Sequence, residues 1–512
     1  MRILICFLIL FFSVKTFSQT SNARGLTYRP TFHFTPAKNW TNDPNGLVYY
    51  KGNYHLYFQY NPFANKWGHM SWAHATSKDL MKWKETAVAI PEYKNADGTT
   101  TMIFSGTAIV DSFNTSGFGT KKKSSPLIAI YTANIDSNGV GLGQHQNIAY
   151  SFNGTNFIAY NKNPVLHINA KDFRDPKVFW YEPEKKWVMI VSKPDAFKVL
   201  FYSSADLKTW AFMSEFGNAG NQDRVWECPD IFEMQVKNSK EKKWVITLSA
   251  GHPEKGYLAM QYFIGYFNGN SFKADSLGYP LYLDYGKDFY AGITYNNLPS
   301  ANKRRIMIGW ANSWEYANDI PTKGFRGMMA IPRSLSLLKI SHDKYMLLQQ
   351  PVEEMKRYRG NILLDKKSIS VTDQKNDSIK GDALDIEFEI SKSNAEKSGI
   401  KVFKHGGEET LIYFDKKDNT VKIDRTVSGN VNFNKRFSSV ESAPISSNKQ
   451  DLKFRILIDK SIIEVFINDG EQVITDMVFP TKQNGDAAFF ASSKKIIQFK
   501  NVKIWKMNPS MQ

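Results

Sequence analysis

The 512-residue chain carries 66 Lys and Arg against 49 Asp and Glu, a formal charge of +17. Its 42% hydrophobic and 14% aromatic content excludes a disordered polyelectrolyte and provides ample core for two or three domains. The cations are scattered through turns with acids among them, and the densest run, Lys121-Lys122-Lys123, lies between Gly119-Thr120 and Ser124-Ser125; this pattern argues for solvated loop tips and against a nucleic-acid face.

The chain opens with Arg2 ahead of the apolar run Ile3 to Phe12, followed by Lys15 and Thr16-Phe17-Ser18. This reads as a signal peptide over residues 1–18, too short for a membrane span. It predicts a secreted or periplasmic protein with no stable membrane insertion. Cleavage would leave Cys228 as the sole cysteine, so no intrachain disulfide forms and stability must come from core burial. No sequence feature sets an oligomeric state.

Beyond the leader, short aromatic and β-branched runs alternate with Gly, Asn, Asp and Pro clusters, the signature of an all-β chain. One run recurs at residues 54–60, 126–132, 186–192, 243–249 and 304–310, for example Tyr54-His55-Leu56-Tyr57-Phe58 and Lys186-Trp187-Val188-Met189-Ile190. Polar turns closed by an aromatic follow the first four: Ser77 to Trp83, Ser151 to Phe157, Ser204 to Trp210 and Phe267 to Phe272. Five units at near-constant spacing predict a five-bladed β-propeller over residues 28–345.

Each recurring run is preceded by another predicted strand, opened by Asp43, Ser105, Asp175, Glu227 and Tyr290 in turn. If that earlier strand is the innermost of its blade, all five residues face one another at one end of the central channel. The three acids share a setting: Asn42-Asp43-Pro44, Arg174-Asp175-Pro176 and Glu227-Cys228-Pro229, each with a proline that fixes the local backbone. After Arg333 the pattern changes. Residues 346–359 read as a linker with a short helical turn, and residues 360–508 as an antiparallel β-sandwich with strands at 383–390, 410–414, 420–425, 452–458, 462–467, 473–479, 487–491 and 496–505.

A funnel of three carboxylates and aromatic rings, without metal-ligand spacing among the histidines, suits glycoside hydrolysis: one carboxylate attacks or activates water and another protonates the leaving oxygen. No metal or cofactor is expected. Gly139-Val140-Gly141-Leu142-Gly143 lacks a following helix and reads as a flexible loop, not a phosphate cradle.

The motifs Trp40 to Gly46, Tyr54 to Pro62, Phe104-Ser105-Gly106, Phe173 to Val178, Trp226 to Asp230, Asp284 to Ala291 and Glu464-Val465-Phe466 resemble glycoside hydrolase family 32, the β-fructofuranosidases, particularly the bacterial levanase and exo-inulinase branch. The resemblance implies a retaining exo-β-fructosidase acting on levan, inulin or sucrose. It assigns Asp43 as nucleophile, Glu227 as acid and base, and Asp175, beside Arg174, as transition-state stabiliser. It places Asn42, Gln59, Trp67, Ser105, Tyr290 and Trp310 around the terminal fructose. Thr41 departs from the family's larger apolar residue. Cys228 is expected to tune Glu227. Invertase, endo-fructanase and fructosyltransferase are the alternatives within the class, and a non-catalytic fructan-binding propeller the alternative outside it. The sandwich is expected to brace the propeller.

Overall fold

Strand-forming runs separated by tight turns pair with their chain neighbours, giving antiparallel sheets one after another along the chain. The computed structural model describes residues 28–122, 125–276, 281–299, 304–372, 378–392, 395–445, 449–493 and 496–510; the leader reading lies outside them. Five sheets are arranged as propeller blades, and their first long strands are Asn39–Tyr50, Thr100–Val110, Arg174–Tyr181, Glu227–Gln235 and Tyr290–Thr294. Each packs against the next and the fifth against the first, so these five are the innermost strands around a common axis. The recurring apolar runs are the second strands. Leu56, Tyr57 and Phe58, like Val188 through Val191, are fully buried, because blades packed face to face cover both sides of a strand.

The turn segments also share a cause. Asp79, Asn153, Asp206 and Asn268 each accept two backbone N–H groups two and three residues ahead, at 2.8–3.1 Å. A side-chain oxygen thus closes each turn in place of a backbone carbonyl.

The ring is sealed by late segments. The Asn296 N–H donates to Leu47 O at 2.9 Å and Tyr49 N–H to Asn296 O at 3.0 Å, while Phe325–Arg326 pairs in parallel with Asn39–Trp40. All five innermost strands break register near their start: between Thr41 and Pro44, Ile103 and Gly106, Arg174 and Lys177, Glu227 and Asp230, and Tyr290 and Ile293. A bulge bends a strand and re-aims its side chains. Here it turns the same part of every blade toward the axis.

The fifth blade continues through Lys344–Pro351, which pairs with Arg333–Ser341, so part of the stretch read as linker is a propeller strand. The connector is a 3₁₀ turn, Glu353–Tyr358. Two six-stranded sheets follow, enclosing a core that includes Ile386, Phe388, Phe454, Ile456, Phe489 and Phe499. Strands Arg359–Val371 and Lys397–His405 were not read from sequence. The first is a largely exposed edge strand, with Lys366 and Lys367 guarding its open side.

The two units meet over buried charge. Arg333, from the fifth blade, bonds Asp284 at 3.0 Å, Glu464 of the sandwich at 2.7 Å and Thr475 Oγ1 at 2.7 Å. His33 spans Asp459 Oδ2 at 2.8 Å and Glu464 Oε1 at 3.0 Å. Asp459 and Glu464 push the His33 imidazole up to about 9, although burial alone would lower it.

Candidate active site

The bulges deliver Asp43, Ser105, Asp175, Glu227 and Tyr290 to one funnel. Within three of the bulges the backbone is unusual: Asp175, Cys228 and Ala291 have φ of 64°, 48° and 52°, a left-handed conformation uncommon for non-glycine residues and concentrated at functional sites. In the second blade the bulge ends at Gly106, where a Cβ would lie 2.1 Å from Ile130 O.

Asp43 is only 9% exposed. Its Oδ1 accepts from Asn42 Nδ2 at 3.0 Å and its Oδ2 from Ser105 Oγ at 2.7 Å. Asn42 is itself fixed by the Trp40 indole, which donates to its Oδ1 at 2.8 Å. Thr41 is fully buried and donates to Gln59 O at 2.9 Å, so the smaller residue is accommodated by a hydrogen bond. Burial raises the Asp43 pKa, with the Glu227 charge adding, against the lowering effect of Ser105 and Asn42.

Asp175, 6% exposed, accepts the Cys228 N–H at 3.0 Å, and its own N–H donates to Thr132 Oγ1 at 3.0 Å. Burial pushes its carboxyl up to about 7; Arg174 opposes this, and Glu227 and Asp43 add to it. Glu227 is held at both oxygens. Arg174 donates to Oε1 through Nε at 3.1 Å and Nη2 at 3.0 Å, and Tyr290 OH donates to Oε2 at 2.6 Å. Burial works against the charge on Arg174, but Glu227, Asp175 and Asp172 together hold the guanidinium protonated beyond its usual range. The Cys228 thiol faces the other two acids, 3.5 Å from Asp43 Oδ2 and 3.6 Å from Asp175 Oδ2. Its expected tuning of Glu227 therefore becomes contact with Asp43 and Asp175. Burial first, then these acids, raise the thiol pKa well above normal.

These carboxylates line a cavity of about 400 Å³, whose wall includes Gln59, Trp67, Phe104, Ser105, Arg174 and Trp314. Gln59 is buried and its Nε2 has no protein partner among the described residues, leaving a donor for a polar ligand. Trp67 is 43% exposed at the rim, its ring edge-on to Phe104 at 6.1 Å. Trp310 differs from expectation: it is fully buried behind Trp314, ring centroids 4.8 Å apart, and Trp314 faces the funnel. Tyr290 reaches the site through Glu227. Sequence reasoning missed Trp314, Asp172 and Gln144; the repeated Trp in Trp310-Ala311-Asn312-Ser313-Trp314 was the available signal. The glycine-rich stretch is the tip of the hairpin formed by Leu127–Ser137 and Val140–Ser151, and Gly139 and Gly141 line the rim.

Outside the funnel, His252, Glu254 and Glu441 cluster as metal ligands might. Both ring nitrogens of His252 are already engaged, by Glu254 N–H at 2.9 Å and Tyr285 O at 3.1 Å. The Lys287 ammonium lies 3.0 Å from Glu254 and 3.2 Å from Glu441, so a protein cation balances these acids.

Comparison with known proteins agrees with this geometry. The glycosyl hydrolases family 32 N-terminal domain matches residues 33–351 and the family's C-terminal domain residues 354–506. A levanase of Bacillus subtilis is 42% identical over 94% of this chain and 72% of its own length. An extracellular exo-inulinase of Aspergillus niger is 37% identical over 89% of this chain and 90% of its own. The crystal structure of the exo-inulinase from Aspergillus awamori superposes with a TM-score of 0.87 at 35% identity, covering 94% of this chain and 99% of that one. With both domain models matched in order and the propeller and sandwich both in place, the chain belongs to glycosyl hydrolase family 32.

Proposed function

We propose that the protein is a retaining exo-β-fructosidase that releases terminal fructose from levan or inulin, and from sucrose. The observation that carries this reading is the convergence of Asp43, Asp175 and Glu227 on one cavity, with Arg174 and Tyr290 holding Glu227 and with Asn42 and Ser105 holding Asp43. The cavity's volume of about 400 Å³ leaves room for a terminal sugar ring, and the levanase and exo-inulinase relatives support the fructan assignment.

In this mechanism Asp43 attacks the anomeric carbon while Glu227 protonates the departing glycosidic oxygen, giving a covalent fructosyl-enzyme. Glu227 then takes a proton from water, which displaces Asp43 and frees fructose. Asp175 and Gln59 hold the sugar hydroxyls, and Trp67 covers the outer apolar face. Arg174 and Tyr290 keep Glu227 aimed through both proton transfers.

The domain division that the sheets support is a propeller through residue 351 and a sandwich from residue 359. We extend the proposal to export: residues 1–18 are a cleaved leader and the enzyme works outside the cytoplasm, as the extracellular relatives suggest. Among the described residues no helix is long and apolar enough to cross a membrane.

Incubating the protein with levan, inulin and sucrose and separating the products by chromatography tests the reading. Free fructose from the first time points is expected. Oligosaccharides appearing first would overturn the exo assignment, and longer products at high sucrose would indicate fructosyl transfer.

A further inference from the structure

The segment from Ser313 to Asp319 faces two ways. Toward the funnel it presents Trp314, which lines the cavity and stacks on Trp40 with ring centroids 5.8 Å apart, and Ala317, which packs in the same apolar cluster as Trp40 and Tyr290. Asn318 Oδ1 accepts the backbone N–H of Trp67 at 3.4 Å, so this one segment touches both tryptophans of the rim. Toward the sandwich it presents Glu315, Tyr316 and Asp319. Asn434 Nδ2 donates to Asp319 Oδ2 at 2.7 Å, and the Tyr316 ring packs edge-on to Phe437 at 5.2 Å. Glu315 is clamped from both units, by Arg436 Nε of the sandwich at 2.7 Å and by Arg224 of the propeller. Arg224 stands three residues before Glu227, in the approach to that strand. Arg436 is fixed in turn by the Tyr257 ring, 4.1 Å beneath its guanidinium, and by the Gly256 carbonyl.

We infer that Glu315 and Arg436 are positioning residues through which the sandwich sets the Trp314 wall of the funnel. The inference rests on the funnel being the sugar pocket and adds a role for the second domain in substrate binding. Side chains alternating between pocket and sandwich on one short segment cannot shift on one side without shifting on the other. An ion pair mostly shielded from water, joining two units, transmits such a constraint where a solvated one would not.

The test compares Arg436→Met, Arg436→Lys and Lys401→Met in the full-length protein. Lys401 pairs with Glu409 on the sandwich at 2.9 Å, away from the segment, and serves as control. Amide hydrogen exchange at residues 313–319 is expected to speed up about fivefold to tenfold in Arg436→Met, the scale of losing one partly buried ion pair. It should return most of the way in Arg436→Lys and stay unchanged in Lys401→Met. KM for inulin should rise about fivefold in Arg436→Met with kcat nearly constant, the split expected when ground-state and transition-state binding fall together. Unchanged exchange in Arg436→Met overturns the inference whatever the substrate, as does equal acceleration in Lys401→Met or a fall in kcat without a rise in KM. The exchange measurement needs no substrate, so failure of the fructosidase reading, seen as no release of fructose by the wild type, is distinguished from failure of this one.

Discussion

Two of the buried charge clusters, one in the funnel and one around Arg333 between the domains, are built differently. Around Arg333 both carboxylates have every oxygen met. Asp284 accepts Gly286 N–H, Thr475 N–H and Thr475 Oγ1 besides Arg333, and Glu464 takes Ile331 N–H, His33 and Arg333. Arg333 and His33 hold Glu464 below the usual carboxylate range in spite of burial, although burial still raises Asp284. In the funnel Arg174 serves Glu227 and Asp172 directly, while Asp43 and Asp175 depend on neutral donors and both carry raised pKa values. The same residue types therefore serve opposite ends. Full charge pairing around Arg333 makes a rigid joint, whereas in the funnel neutral donors leave Asp43 and Asp175 with raised pKa values, the setting that the proposed mechanism uses.

Substitutions should separate these behaviours. The largest effect is expected from Asp43→Asn and Glu227→Gln, each lowering kcat on the order of 10⁴-fold; Asp43→Asn should leave the melting temperature unchanged or higher, as removing a buried charge held only by neutral donors relieves the fold. Wild-type turnover in either would contradict the assignment. Arg333→Met should do the reverse. It should cost about 3–5 kcal/mol of stability by denaturant titration, because it strands Glu464 and Asp284, with kcat/KM of the folded fraction little changed.

A pH effect follows from His33. Its folded pKa of about 9 exceeds the ordinary 6.5, so its stabilising contribution is complete below pH 6.5 and is lost as pH rises through 9. Thermal melts from pH 6 to 10 should show that decline in the wild type and a flatter profile in His33→Gln. In the proposed mechanism Asp43 acts ionised, so activity is expected to fall as pH drops through its pKa. Ser105→Ala removes a hydrogen bond to the ionised form and should move the acid limb of the kcat/KM profile to higher pH. Smallest of all, Cys228→Ser supplies a stronger donor to Asp43 and Asp175 and should move that limb slightly the other way, leaving the alkaline limb in place. A shift of the alkaline limb alone would restore the expectation that residue 228 acts on Glu227.

The sequence made the propeller legible because each blade repeats a strand buried on both faces, and four of the five follow it with an Asp or Asn that closes the turn. It made Asp43, Asp175 and Glu227 legible because the bulge recurs at the same place in the repeat. What it concealed lacks a local pattern. Trp310 and Trp314 sit four residues apart and both pack against Trp40, and nothing local marks Trp314 as the ring that lines the cavity. Cys228 follows Glu227 directly, yet its left-handed backbone turns the thiol toward Asp43 and Asp175. His33, Asp284, Arg333 and Glu464 meet across as many as 431 residues of chain, and none belongs to a motif that points to the others. Strand 359–371 escaped notice because it is mostly exposed and its alternation is weak.

Ring closure has a consequence for when activity can begin. Asp43 stands near the start of the propeller, but its strand is completed by Asn296 and by Phe325–Arg326. A growing or partly refolded chain holding four blades has all three carboxylates and no closed funnel to aim them. Turnover should therefore return in one step, with the last blade, and not in proportion to the β-structure already formed. The enzyme in effect carries its own assembly checkpoint, set by the order in which its blades are made.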